Sequence, residues 1–197
     1  MSRFRLALIA PVAAFSLAGC GLNSVPTAEE QVNAAFGNLQ AEYQRRNDLI
    51  DNLVETVKAA ADQEDETLTS ITEARARATS VQLSPDQLDD PEAVRAYSEA
   101  QAQMSGARSL LGTFVNENYP QLQSQGRYAD LMVQLEGTEN SILVARRDYN
   151  EAVQGYNTTI RTFPDAVGAK IFYGAEPKVA FEAAAGADEA PSVDFGE

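Results

Sequence analysis

The sequence predicts an all-α protein, folded as an antiparallel four-helix bundle. Three observations carry this reading. Four segments repeat apolar residues three and four positions apart. Short connections containing Pro, Gly or clustered Asp separate most of them. No stretch of useful length alternates apolar and polar residues as a half-buried strand would.

The first 19 residues stand apart from that pattern. Arg3 and Arg5 precede an apolar run from Leu6 to Ala18 that Pro11 interrupts. The run is shorter than the ~20 residues a spanning helix needs, and it suits the core of a secretory signal. Leu17-Ala18-Gly19-Cys20 closes it with small residues and the only cysteine of the chain. The expectation is a lipoprotein signal over 1–19, cleavage before Cys20, and acylation of that residue. Two or more acyl chains hold a protein on a membrane where one holds it marginally. The alternative is a short uncleaved anchor with a coincidental cysteine. Both place the rest of the chain outside the cytoplasm, because basic residues stay inside. The expected location is the cell membrane, lipid-anchored, facing the periplasm or the exterior. Gly21 is not the aspartate that retains lipoproteins at an inner membrane, which leans toward an outer one.

Composition narrows the function classes. The chain carries 15 basic and 29 acidic residues, a net charge of −14. Loss of Arg3 and Arg5 makes it more negative still. Such a surface repels nucleic acid and anionic head groups, so no nucleic-acid partner is expected. There are only three lysines, Lys58, Lys170 and Lys178, and no polybasic patch. Histidine is absent, which removes the commonest general base and transition-metal ligand.

Residues 20–27 read as a lipidated tether. Thr27 with Glu29 and Glu30 behind it resembles a helix N-terminus. Val32, Phe36, Leu39, Tyr43, Ile50, Leu53 and Val57 then form one stripe. The single skipped seam position is Arg46. The acids Asp62, Glu64, Asp65 and Glu66 mark a junction, although one continuous bent helix is an open alternative. They lack the Asp-x-Asp-x-Asp-Gly loop of a calcium site and read as a solvated turn. Leu68, Ile71, Arg75 and Ala78 continue a helical stripe to about Val81.

Ser84-Pro85-Asp86 and Asp89-Asp90-Pro91 are turn chemistry, with Asp90 as cap and Pro91 at the first helical position. Val94, Tyr97, Met104, Leu111 and Phe114 line the next helix to about Asn116. Gly106 and Gly112 weaken it by up to ~1 kcal/mol each relative to alanine, which close helix approach would explain. Tyr119-Pro120 and Gly126 break the chain. Tyr128, Leu131, Leu135, Thr138, Ile142, Ala145, Tyr149, Ala152 and Tyr156 then alternate spacings of three and four. Ile160 and Phe163 extend that face until Pro164. Residues 165–172 form one more short helix. Residues 173–197 turn to Ala, Gly, Pro and acids and read as a flexible acidic tail, with Val193 and Phe195 able to dock.

Two stretches exceed generic bundle pattern. One is Tyr43-Gln44-Arg45-Arg46-Asn47-Asp48-Leu49-Ile50-Asp51-Asn52-Leu53-Val54-Glu55-Thr56-Val57-Lys58. The other is Thr138-Glu139-Asn140-Ser141-Ile142-Leu143-Val144-Ala145-Arg146-Arg147-Asp148-Tyr149-Asn150, continued by Tyr156-Asn157 and Phe163-Pro164. With Ala74-Arg75-Ala76 and Tyr119-Pro120-Gln121-Leu122 they resemble the LemA family over residues 28–172. The resemblance implies a membrane-anchored bacterial protein with an extracytoplasmic, bromodomain-like four-helix bundle. It brings no catalytic residues. The family often has proline where this chain has Asp51. It usually keeps an uncleaved N-terminal membrane helix, where this chain has a lipobox.

Candidate functional residues come from polar groups on apolar stripes. Arg46 and Arg75 both fall there, and a buried guanidinium is costly unless paired. Glu139, Arg146, Asn150 and Asn157 form a polar stripe beside the Tyr149/Tyr156 face. These six are expected to form an interhelical polar network that fixes helix register, with a groove for a peptide or acidic ligand as the sharper version. Tyr43, Tyr97, Tyr128, Tyr149 and Tyr156 read as packing with wet hydroxyls. No nucleophile elbow, Ser-x-x-Lys, Walker or dinucleotide fingerprint occurs. The expectation is a non-enzymatic scaffold or adaptor without cofactor or metal, partnered with another envelope protein. The alternative is a ligand- or peptide-binding sensor using the arginine-bearing groove.

Overall fold

The computed structural model describes residues 23–60 and 66–182. The signal segment, Cys20, the acids at 62–65, Val193 and Phe195 lie outside the described residues. The described chain is all-helical. Four long helices, α1 (Ser24–Lys58), α2 (Glu66–Ser80), α3 (Pro91–Asn118) and α4 (Gly126–Thr159), precede a short α5 (Asp165–Gly168) and a π-helical turn at Ala169–Tyr173. No helix among the described residues is long and apolar enough to cross a membrane.

Helix α1 starts earlier than its sequence suggests. The Thr27 hydroxyl does not cap it but donates back to the Asn23 carbonyl at 2.6 Å, inside the first turn. Pro26 costs little there, because first-turn N–H groups have no intrahelical acceptor. Burial of Val25 holds the extra turn down. The α1 stripe is buried throughout, Arg46 included. Arg75 of α2 pairs with Asp51 of α1, so the chain folds back after Lys58 and the two segments are not one bent helix.

At the start of α3 the sequence is followed closely. Asp90 Oδ1 accepts from the Glu92 N–H at 2.9 Å and the Ala93 N–H at 3.4 Å, with Pro91 at the first position. Gly106 and Gly112 have nothing within 4 Å of where a Cβ would stand, so close approach does not account for them.

Helix α1 packs mainly against α4, and α2 against α3. Helices α1 and α4 run in opposite directions, since Phe36 and Arg46 of α1 meet Tyr149 and Glu139 of α4, and Gln101 of α3 meets Ala78 of α2. The core has two halves. Leu53, Val57, Leu68, Ile71, Leu111, Leu122 and Leu135 fill one. Val32, Phe36, Leu88, Tyr97, Tyr149 and Phe181 fill the other. Arg46 lies near the boundary between them. Ile160 joins the second half, whereas Phe163 is 85% exposed and does not extend the α4 face inward.

Residues 174–182 depart from the flexible tail that their composition suggests. Gly174 adopts φ 57°, the left-handed conformation that ends a helix and that glycine takes without a Cβ clash. The extended chain after it runs back over α4, where Lys178 and Phe181 are buried. Composition misses this because side chains of the bundle, not local propensity, order it.

Candidate functional site

The site begins with Arg46. Its position on the α1 stripe, three residues after Tyr43 and four before Ile50, forces the guanidinium between helices, where it is 1% exposed. Nη2 donates to Gln101 Oε1 at 2.6 Å and Nη1 donates to Ser105 Oγ at 2.9 Å. Glu139 Oε1 lies 3.8 Å from Nη1, an ion pair too long for a hydrogen bond. The guanidinium also sits 5.1 Å from the centre of the Tyr43 ring, a favourable cation–π distance. Gln101 relays the contact by donating from Nε2 to the Ala78 carbonyl at 3.1 Å. One arginine therefore ties all four long helices together.

Arg46 Nε and Glu139 Oε1 are buried without a hydrogen-bond partner among the described residues. Burial pulls the guanidinium below its usual range, and Glu139 partly restores it. Burial likewise raises the Tyr43 phenol, while Arg46 and Arg146 oppose the shift. The region is buried and carries fixed charge, which strengthens any polar contact made there.

A cleft of about 670 Å³ opens beside this network. Tyr43, Arg46, Gln101, Glu139 and Arg146 belong to its lining, and residues Val179–Glu182 form one wall. At its rim Arg95 pairs with Glu99 at 3.7 Å. Arg146 stands over the Phe181 ring, 6.0 Å from its centre.

That wall is held by two asparagines. Asn150 Nδ2 donates to the Phe181 carbonyl and Oδ1 accepts from the Phe181 N–H, both at 2.9 Å. Asn157 does the same to Lys178, donating at 2.8 Å and accepting at 2.9 Å. The geometry is commensurate. Seven helical residues rise about 10.5 Å, and three extended residues span about 10 Å, so one face of α4 meets alternate grips on the extended chain. The Tyr149 hydroxyl donates to the Val179 carbonyl at 2.9 Å, and the Val179 N–H donates to the Leu88 carbonyl at 2.8 Å. Side chains complete the seat. Phe181 enters between Tyr97 and Tyr149, with ring centres 6.3 and 5.0 Å away. Lys178 Nζ pairs with Glu29 at 3.0 Å and lies 5.3 Å from the centre of the Tyr156 ring.

A sequence model of the LemA family matches residues 35–195. The chain belongs to the LemA family. No curated protein matches it. The family match runs past residue 172 and takes in the docked segment. In this LemA chain, therefore, the second half of the core includes residues that composition assigns to a tail.

The six polar candidates divide in this LemA fold. Arg46 and Glu139 meet across the α1–α4 seam. Arg75 lies apart, paired with Asp51. Arg146 faces the cleft. Asn150 and Asn157 do not join helices to one another; they bind the backbone of 178–181. Gln101, Ser105, Lys178 and Phe181 escaped the sequence reading. Gln101 had a signal, since it falls in apolar phase between Tyr97 and Met104. Phe181 had none, because an isolated aromatic in extended chain carries no period.

Proposed function

We propose that this LemA-family chain is a non-enzymatic adaptor of the bacterial cell envelope, held on the membrane through lipid on Cys20 and facing the periplasm or exterior. Its frame reads as an antiparallel four-helix bundle, and its docking surface as the cleft between α1, α3 and α4. The observation that carries this reading is the seat for residues 178–181. The bundle there recognises extended backbone through paired asparagine amides and an aromatic pocket, with open cleft volume alongside. An extended segment of a partner protein fits the same chemistry. The acidic surface argues against nucleic acid as that partner.

A photo-crosslinking residue at Leu143, which is exposed and lines the cleft, tests the proposal in intact cells. One reproducible envelope-protein adduct from position 143, absent from exposed Val133, is expected. Equal or absent labelling at both positions overturns it. A sensor of peptide or acidic ligand is the second reading, favoured by Arg46 and Arg146 at the cleft. Native mass spectrometry of the purified chain separates the two, since a sensor retains a bound small molecule or peptide.

A further inference from the structure

Phe163, Val167, Ile171 and Phe172 are 85%, 50%, 68% and 68% exposed within ten residues of chain. Scattered apolar residues on a surface need no explanation, but a contiguous cluster marks an interaction site. Here the backbone fixes the cluster outward. Gly168 and Ala169, on the other side of the same stretch, are buried against the bundle. Phe163 stands in the turn before α5, Val167 within α5, and Ile171 and Phe172 in the π-helical turn that follows, so the exposed apolar side chains span one short run of chain. Tyr173 lies beside them, 46% exposed.

The place of the cluster matters as much as its composition. The Ser24 hydroxyl donates to Asp165 Oδ1 at 2.5 Å, and α1 packs on α5. The cluster therefore sits at the pole where α1 begins. Only residues 21–23 separate Cys20 from Ser24. Four extended steps reach at most about 14 Å, so an anchor at Cys20 keeps this pole next to the bilayer.

We propose that Phe163, Val167, Ile171 and Phe172 form a second, non-covalent membrane contact that enters the bilayer interface beside the lipidated Cys20. The proposal rests on the anchor reading of Cys20. Aromatic and aliphatic side chains on a short amphipathic stretch partition about 5–10 Å into the head-group boundary, and aromatic rings favour that depth. The exposed side chains of this stretch are apolar apart from Lys170, and the chain carries −14 overall, so apolar burial supplies the contact. Two attachments at one pole orient the molecule. Arg46 lies 22 residues along α1, so the cleft stands about 30 Å from the membrane-facing end.

The chain has no tryptophan, so a single one reports cleanly. Full-length lipidated chains carrying Phe172→Trp or Val133→Trp are reconstituted in phosphatidylcholine vesicles, with and without brominated acyl chains. Trp at 172 is expected to emit at shorter wavelength than Trp at 133 and to be quenched by bromine, with no dependence on salt. Equal, water-like emission without bromine quenching at both positions overturns the contact. So does a blue shift at 172 that depends on protein concentration and ignores bromine, the signature of a second copy covering the face. Cys20→Ser tests the underlying reading separately. If acyl labelling and membrane attachment survive that substitution, the lipid anchor is wrong, whereas the quenching contrast between 172 and 133 still decides the contact.

Discussion

The side-chain amide of Asn150 closes a two-bond ring with the backbone of Phe181, donating to its carbonyl and accepting from its N–H, both at 2.9 Å. This is the pairing that one strand offers another, supplied by a helix. It makes the docked segment a detachable part of the core, gripped by few side chains and continuous with the cleft wall.

Asn150→Ala should release that segment locally. Two hydrogen bonds of about 1 kcal/mol each are lost, which accelerates hydrogen exchange at the Phe181 amide about thirtyfold. Asn157→Ala should do the same at Lys178. Amides in the other half of the core, such as that of Ile71, should keep their protection. Equal acceleration at Ile71 would mean that the segment unfolds only with the whole domain.

Arg46→Ala should cost far more than Glu139→Gln. The first leaves Gln101 Oε1, Ser105 Oγ and Glu139 without their cation inside the bundle, a loss of about 3–5 kcal/mol. The second weakens one long ion pair to a partly exposed carboxylate and should cost about 1 kcal/mol. Urea denaturation of both variants measures the order, and a reversed order would remove Arg46 from the centre of the network.

Alkali should unfold the domain. Burial raises the phenols of Tyr43, Tyr97 and Tyr149, and raises Tyr156 to about 12 with Glu29, Asp89 and Glu176 adding to it. An unfolded tyrosine ionises near about 10. A raised folded-state value stabilises the fold fully below the unfolded one, and this contribution is lost as pH rises from about 10 through about 12. Tyrosinate absorbance and loss of helical circular dichroism should therefore rise together in that window. Ionisation of these tyrosines with the helices intact would contradict their burial.

Asp90→Ala should lower stability by about 1 kcal/mol, because two amides at the start of α3 lose their acceptor. Asp90→Asn should recover most of it, since the amide oxygen still accepts. Thermal unfolding of the pair reads this directly.

The α-helical class, the α1, α3 and α4 stripes, the Asp90 cap and the LemA resemblance were all legible in sequence. Each is written in local spacing: a period of 3.6, a proline at the first helical position, a chain of motif blocks. Arg46 was legible too, since a charge in apolar phase has nowhere to go but inward. Thr27 was misleading because its hydroxyl can accept from the N–H groups of a helix start or donate to the Asn23 carbonyl, and burial of Val25 chose between the two.

Sequence by itself determined that this chain is helical, acidic and LemA-like. Tertiary structure alone decided that Asn150 and Asn157 grip residues 178–181, that Arg75 turns to Asp51, and that Phe163 faces outward at the pole where α1 begins. The reason is range. Helix period is set by neighbours three and four residues away, whereas a clamp between Asn150 and Phe181 spans 31 residues. It exists only once two elements have been brought to matching rises.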